Sequence, residues 1–284
     1  MKQWVIEKLS GAWFSLKLKL KDWSHTIRVY LIWAHKMWLV HLEYRLNVIL
    51  GSLGSLFWMG VTLITYRLIF DQIDSLAGWS WAEMVLLYGV YNLWWGIMNT
   101  FFNGGLDISD GVRSGTLDKT LLMPGKSFFY AAMKFEPEIL VHSLTGLIIF
   151  LIAAGNMGIA FNWLNSVLFI ILLLNSFLLI FFVSILFGST AFWFIENRHL
   201  ADFFWIWESL SKYPREFFSF SNVLYGLVHS LLPVVFITVV PTEVILGRIN
   251  WLLILTSFLI TAVFAVISRK IWRLGLKRYT GASI

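Results

Sequence analysis

The chain has 284 residues, 58% of them hydrophobic and 13% charged, with a mean hydropathy of +0.75, a net charge of +6 and no cysteine. A soluble domain carries roughly 25% charged residues, so this balance puts the chain among membrane proteins. The missing cysteine excludes disulfides, thiolate metal sites and cysteine nucleophiles.

Residues 1–45 are basic and too long for the charged region of a signal peptide. Trp4, Val5, Leu9, Ala12, Trp13 and Leu16 recur at helical spacing, with Lys2, Lys8 and Lys17 nearby. That pattern predicts an amphipathic helix lying in the membrane interface, continued by Tyr30, Trp33 and Trp38. The competing reading is a basic tail without fixed structure.

A transmembrane helix needs about 20 apolar residues. Five stretches of that length or more lack Asp, Glu, Lys and Arg: 46–66, 84–106, 139–195, 217–242 and 249–268. The third is broken by Gly155, Asn156, Gly158, Asn162 and Asn165, a turn-forming cluster that divides it into two spans. The expected fold is therefore all-α and polytopic. An interfacial segment over 1–45 precedes a six-helix transmembrane domain over 46–284, with spans at about 46–69, 84–104, 138–155, 165–195, 217–240 and 249–269. Glu136-Pro137-Glu138 suits the first turn of the third span, where proline fits and carboxylates meet the positive end of the helix dipole.

Of the 22 Lys and Arg, all but Arg67 and Arg248 fall on one side of this arrangement, in the N-terminal segment, the 107–134 loop, the loop between spans four and five, and the C-terminus. The positive-inside rule makes that side cytoplasmic, together with both termini, and explains the net charge without nucleic acid.

No active site is visible. The six histidines are scattered at 25, 35, 41, 142, 199 and 229. His142 and His229 lie within spans, where a relay is conceivable but a hydrogen-bonded bundle histidine is the plainer reading. Asn92, Asn99 and Asn175 read as interhelical hydrogen-bond partners. Gly125-Lys126-Ser127 imitates a phosphate-binding loop, but Thr120 stands where the pattern requires glycine. The charge-free stretches hold no acidic residue, and only Pro233 offers a helix break, which argues against an ion-coupled carrier.

Several segments nonetheless form a recognisable series. They are Glu43 through Asn47, Gly78-Trp79-Ser80, Asp110 through Pro124, Phe192-Trp193, Tyr213-Pro214, Pro233, Pro241 and Trp272 through Tyr279, with Ala282-Ser283. In order and spacing the chain resembles the permeases of type 2 ABC exporters, the ABC-2 family, from Glu43 onward. The resemblance implies a permease of the bacterial inner membrane. It implies as partners two separate ABC ATPase subunits and a second permease, identical or homologous, with the lipid bilayer around them and no nucleic acid. No cofactor belongs to this chain; ATP and Mg sit on the partner subunits. By the same resemblance, the Asp110–Pro124 loop would meet the ATPase, with Asp110, Arg113 and Asp118 as polar groups and Gly115 and Leu117 setting geometry. Pro233, Pro241 and Glu243 would fall at an outer gate. The alternative is a secondary transporter or channel working alone, with a membrane enzyme or scaffold third.

Overall fold

The computed structural model describes residues 24–123, 126–194, 198–229 and 233–280, and the regular structure among them is helical, with one isolated bridge between Leu76 and Trp79. Trp4 through Leu16, expected on an amphipathic helix, lie outside the described residues. Helix α1 covers 24–43. There follow α2 (Arg45–Phe70), α3 (Trp81–Phe101), α4 (Gly104–Ser114), α5 (Leu117–Leu122), α6 (Ser127–Tyr130), α7 (Leu140–Asn156) and α8 (Trp163–Ser189). The chain closes with α9 (Arg198–Ser209), α10 (Asn222–His229), α11 (Val239–Ile245) and α12 (Trp251–Arg278).

Among the described residues, four helices have the length and apolarity to cross a membrane: α2, α7 with its preceding turn from Pro137, α8 with its extension to Phe192, and α12. Their starts follow from local chemistry. Asn162 and Asn250 cap α8 and α12, their side chains accepting from the backbone N–H of Leu164 (3.3 Å) and Leu253 (3.2 Å). Pro137 opens the turn that leads into α7. α3 begins with a capping box, in which Ser80 Oγ accepts from the Glu83 N–H and the Glu83 carboxylate accepts from the Ser80 N–H. At 21 residues α3 is about 31 Å long, the thickness of the hydrocarbon layer. Unlike a lipid-facing helix, it carries three polar residues in its second half, Asn92, Asn99 and Thr100. All three are buried, so protein rather than lipid surrounds them.

α8 is the central pillar, with α3, α4, α9, α11 and α12 packed around it. The most extensive crossing joins α3 and α7. A Cβ added at Gly146 would stand 2.2 Å from the Leu93 nitrogen, and one at Gly96 would stand 2.3 Å from Ser143 Oγ. Small residues let two helix backbones touch where lipid supplies no hydrophobic drive for association. The start of α4 crosses the end of α8 in the same way at Gly105 and Gly188. α2 lies at the periphery and exposes Leu46, Leu50, Phe57, Trp58 and Leu68. An apolar rim of this kind is what lipid requires of a helix bundle.

The expected fifth span over 217–240 is not one helix, and it does not run from one end of the bundle to the other. It contains α10, then the short turn Val234–Phe236 after Pro233, then the start of α11. Its two flanks, Glu216 and Glu243, both pair with Arg215, at 2.8 and 3.0 Å. The segment therefore returns to the end it left. That end also holds the 71–80 connection, because the Trp79 indole donates to Glu216. Arg215, expected on the side of the termini, thus sits at the opposite end from α1 and the last turns of α12. The rising segment is α9 with the turn Leu210–Lys212. Its Phe203, Phe204 and Trp207 rest on Phe187 near the far end of α8.

Candidate functional site

At the end holding α1, the start of α2 and the last turns of α12, α4 and α5 form an elbow. Gly115 closes α4 with φ 72°, in the left-handed region where a side chain is strained, and this lets α5 fold back at once. Leu117 is the anchor. It is 3% exposed and packs in a cluster with Ile108, Phe181, Phe182, Phe192 and Trp272. Asp110 and Arg113 remain on the surface and pair with each other at 2.8 Å, and Ser114 Oγ donates to the Asp110 carbonyl. Asp118 faces the last helix. Burial pushes the Tyr279 hydroxyl up to about 12, and the neighbouring Asp118 carboxylate adds to it. Of the five residues expected in this loop, two thus set its shape, two are presented to solvent, and Asp118 turns toward the C-terminal segment.

The elbow is braced from behind. The Tyr30 hydroxyl on α1 donates to the Lys134 carbonyl (3.0 Å), and the Tyr130 hydroxyl donates to the Thr26 carbonyl (3.4 Å). Lys134 Nζ bridges Asp107 at the start of α4 (3.0 Å) and Glu136 (2.9 Å). Burial opposes the Lys134 charge, but the two carboxylates outweigh it and hold its pKa above the usual lysine range. Burial raises Asp107, with Lys134 pulling the other way. His41 at the end of α1 meets Glu138 at 2.9 Å. α1, the elbow and the base of α7 are therefore one mechanical unit. The sequence held no pattern for this brace, because its partners are about a hundred residues apart.

The opposite end carries a continuous polar chain. Glu83 pairs with Arg248, whose guanidinium lies 5.4 Å above the Trp79 ring. Trp79 Nε1 donates to Glu216, and Arg215 joins Glu216 to Glu243. Glu243 and Pro241 are both buried within α11, and Pro233 precedes the turn that leads into it. Burial pushes the Glu243 carboxyl up to about 7, against the pull of Arg215 and with a further push from Glu216. Glu243 was singled out from the sequence; Glu83, Arg215, Glu216 and Arg248 were not.

Inside the bundle, the Glu208 carboxyl on α9 meets the Tyr91 hydroxyl and the Trp95 indole of α3, while its Oε1 has no partner. In the sequence, Glu208 falls in the loop between spans four and five, outside the charge-free stretches. His142 Nδ1 lies 3.4 Å from Asn92 Oδ1, and its ring sits against Trp95. His229 bonds only one turn back, to the Tyr225 carbonyl (2.8 Å). Asn175 reaches Ser257 on α12 (3.4 Å), whereas Asn99 bonds to Trp95 of its own helix and to Asn103 beyond its end.

Apolar helices around a hydrophobic core that also buries a few polar groups, with a braced elbow at one end and an ion-paired cap at the other, define a multi-pass helical membrane protein. The family model described as ABC-2 family transporter protein matches residues 56–283, and the chain belongs to that family of membrane permeases. No curated protein and no solved structure matches it.

Proposed function

We propose that the chain is the permease subunit of an ATP-driven exporter in a bacterial inner membrane, working beside a second permease, identical or homologous. Two separate ATPase subunits, carrying the ATP and Mg, dock on its cytoplasmic face. The topology we propose has six crossings: α2, α3, α7, α8, α9 with the turn Leu210–Lys212, and α12. The re-entrant stretch after Arg215 lies on the outer side, where Pro233, Pro241 and Glu243 form part of the gate. Most Lys and Arg still lie on the side of the termini, as a cytoplasmic face requires.

The observation that carries this reading is the elbow. Asp110 and Arg113 stand exposed on a short helix that Leu117 pins to the core and that α1 braces through Lys134. A push on α4 would pass directly into α8 at the Gly105–Gly188 crossing and into α7 through Glu136. The test is affinity purification of the tagged chain, with ATPase activity measured on what comes with it. Wild type should retain a stoichiometric ATPase and Arg113→Glu should lose most of it. No ATPase under any condition contradicts the reading.

A second reading, a carrier working alone, draws support from Glu208, an ionisable group held in the bundle interior. It requires that Glu208→Gln abolish transport while leaving any ATPase association untouched.

A further inference from the structure

A crevice of about 1140 Å³ opens between α8, α12 and the segment around α6, larger than the roughly 300–1,000 Å³ of most small-molecule sites. Its walls are aromatic: Phe128 makes ring contacts with Phe181, Phe182 and Trp272, and Phe177 extends the wall along α8. Its rim is cationic. Lys126, Arg269 and Arg273 line it, and no Asp or Glu does. Arg269 and Arg273 are one helical turn apart, so both guanidinium groups leave the same face of α12. Arg269 lies 5.3 Å above the Phe182 ring, and among the described residues neither arginine is in an ion pair.

The two parts sit at different depths. Arg269 and Arg273 belong to the last turns of α12, at the elbow end. Leu174 and Leu178, both exposed, lie farther along α8 toward the bilayer centre. A cationic rim at the interface above an apolar track reproduces in reverse the polarity of a membrane lipid. Guanidinium forks fit phosphate oxygens, and basic pockets between transmembrane helices are suited to anionic headgroups.

We propose that this crevice binds one anionic glycerophospholipid. Its phosphate is held by Arg269 and Arg273, and an acyl chain runs over Phe181 and Phe177 toward Leu174. The proposed topology enters only in naming the leaflet, which is the cytoplasmic one. Binding is read without transport, so the exporter reading and this one fail separately.

The test is native mass spectrometry of the full-length protein in detergent, titrated with phosphatidylglycerol or phosphatidylcholine. Wild type should favour phosphatidylglycerol by roughly thirtyfold, the scale of two interfacial cations. Arg269→Gln with Arg273→Gln should remove the preference at an unchanged thermal midpoint, and the pair Arg269→Lys with Arg273→Lys should keep part of it. If the double glutamine variant does not purify, Arg273→Gln alone should show an intermediate loss. Lys277→Gln with Arg278→Gln, just outside the crevice, should behave as wild type. Equal binding of both lipids, equal binding by the glutamine variant, or an equal loss in the outside pair would each overturn the proposal. So would a purified dimer that covers the crevice and admits no lipid.

Discussion

The guanidinium of Arg215 stands 3.0 Å from the carboxylate of Glu243, and one side chain thereby closes the whole apolar stretch between them into a loop that starts and ends at the same place. Glu216 completes the clasp, and Trp79 ties it to the connection between α2 and α3.

This clasp makes stability depend on pH. The folded Glu243 carboxyl is pushed from 4.5 to about 7, so between those values the folded protein holds a proton that the unfolded chain has released. Stability therefore rises as the pH falls from about 7 to about 4.5. The cost of charging Glu243 is fully present above that window and absent below it. At ~1.4 kcal/mol per unit the effect is of order 3–4 kcal/mol. Thermal midpoints of the purified protein across the window should show this slope in wild type and not in Glu243→Gln. Parallel profiles for the two would refute the assignment.

The α3–α7 crossing leaves no room for a methyl group. Gly146→Ala places a carbon against the Leu93 backbone and should cost about 1–3 kcal/mol, the usual penalty of overpacking. Gly155→Ala on the same helix meets nothing within 4 Å and should be neutral or slightly stabilising. Thermal unfolding in detergent separates the two, and equal midpoints would contradict the tight crossing.

Gly115 and Gly247 both hold positive φ, 72° and 76°, but at opposite ends of the molecule. Each Gly→Ala change should cost roughly 1–2 kcal/mol through the left-handed backbone. Only Gly115→Ala should also reduce ATPase retention, because only it distorts the elbow. An equal loss of ATPase in both variants would mean that general destabilisation, not the elbow, governs docking.

The helices most legible in the sequence are those bounded by charge or by caps. α2, α7, α8 and α12 stand out because each holds a long run free of Asp, Glu, Lys and Arg, and the Gly155–Asn165 cluster marks the turn between α7 and α8. The stretch 217–240 carries the same uninterrupted apolar signal and folds differently. What decides its path is a contact between Arg215 and Glu243, 28 positions apart, and apolarity is blind to it. The same contact moved Arg215 to the other end of the bundle, since a charge count assumes that each apolar stretch crosses. α9 escaped notice for the converse reason: Asp202 and Glu208 lower its apolarity, although Glu208 is buried against α3. At the elbow, the family resemblance pointed to Gly115 as a geometry-setting residue of a loop, and the two short helices that flank it were not expected. The α1 brace could not be read, because Tyr30 and Lys134 meet only through folding.

The most direct test of this two-ended architecture uses the absence of native cysteine. Ser114→Cys at the elbow and Ser219→Cys beside the clasp are both exposed positions, and each can be labelled in intact cells with a membrane-impermeant maleimide. The account predicts that Ser219→Cys reacts from outside, while Ser114→Cys reacts only once the membrane is opened. Labelling of Ser219→Cys from the same side as Ser114→Cys would mean that 217–240 crosses the bilayer after all. The clasp, the re-entrant loop and the proposed gate would then fall together.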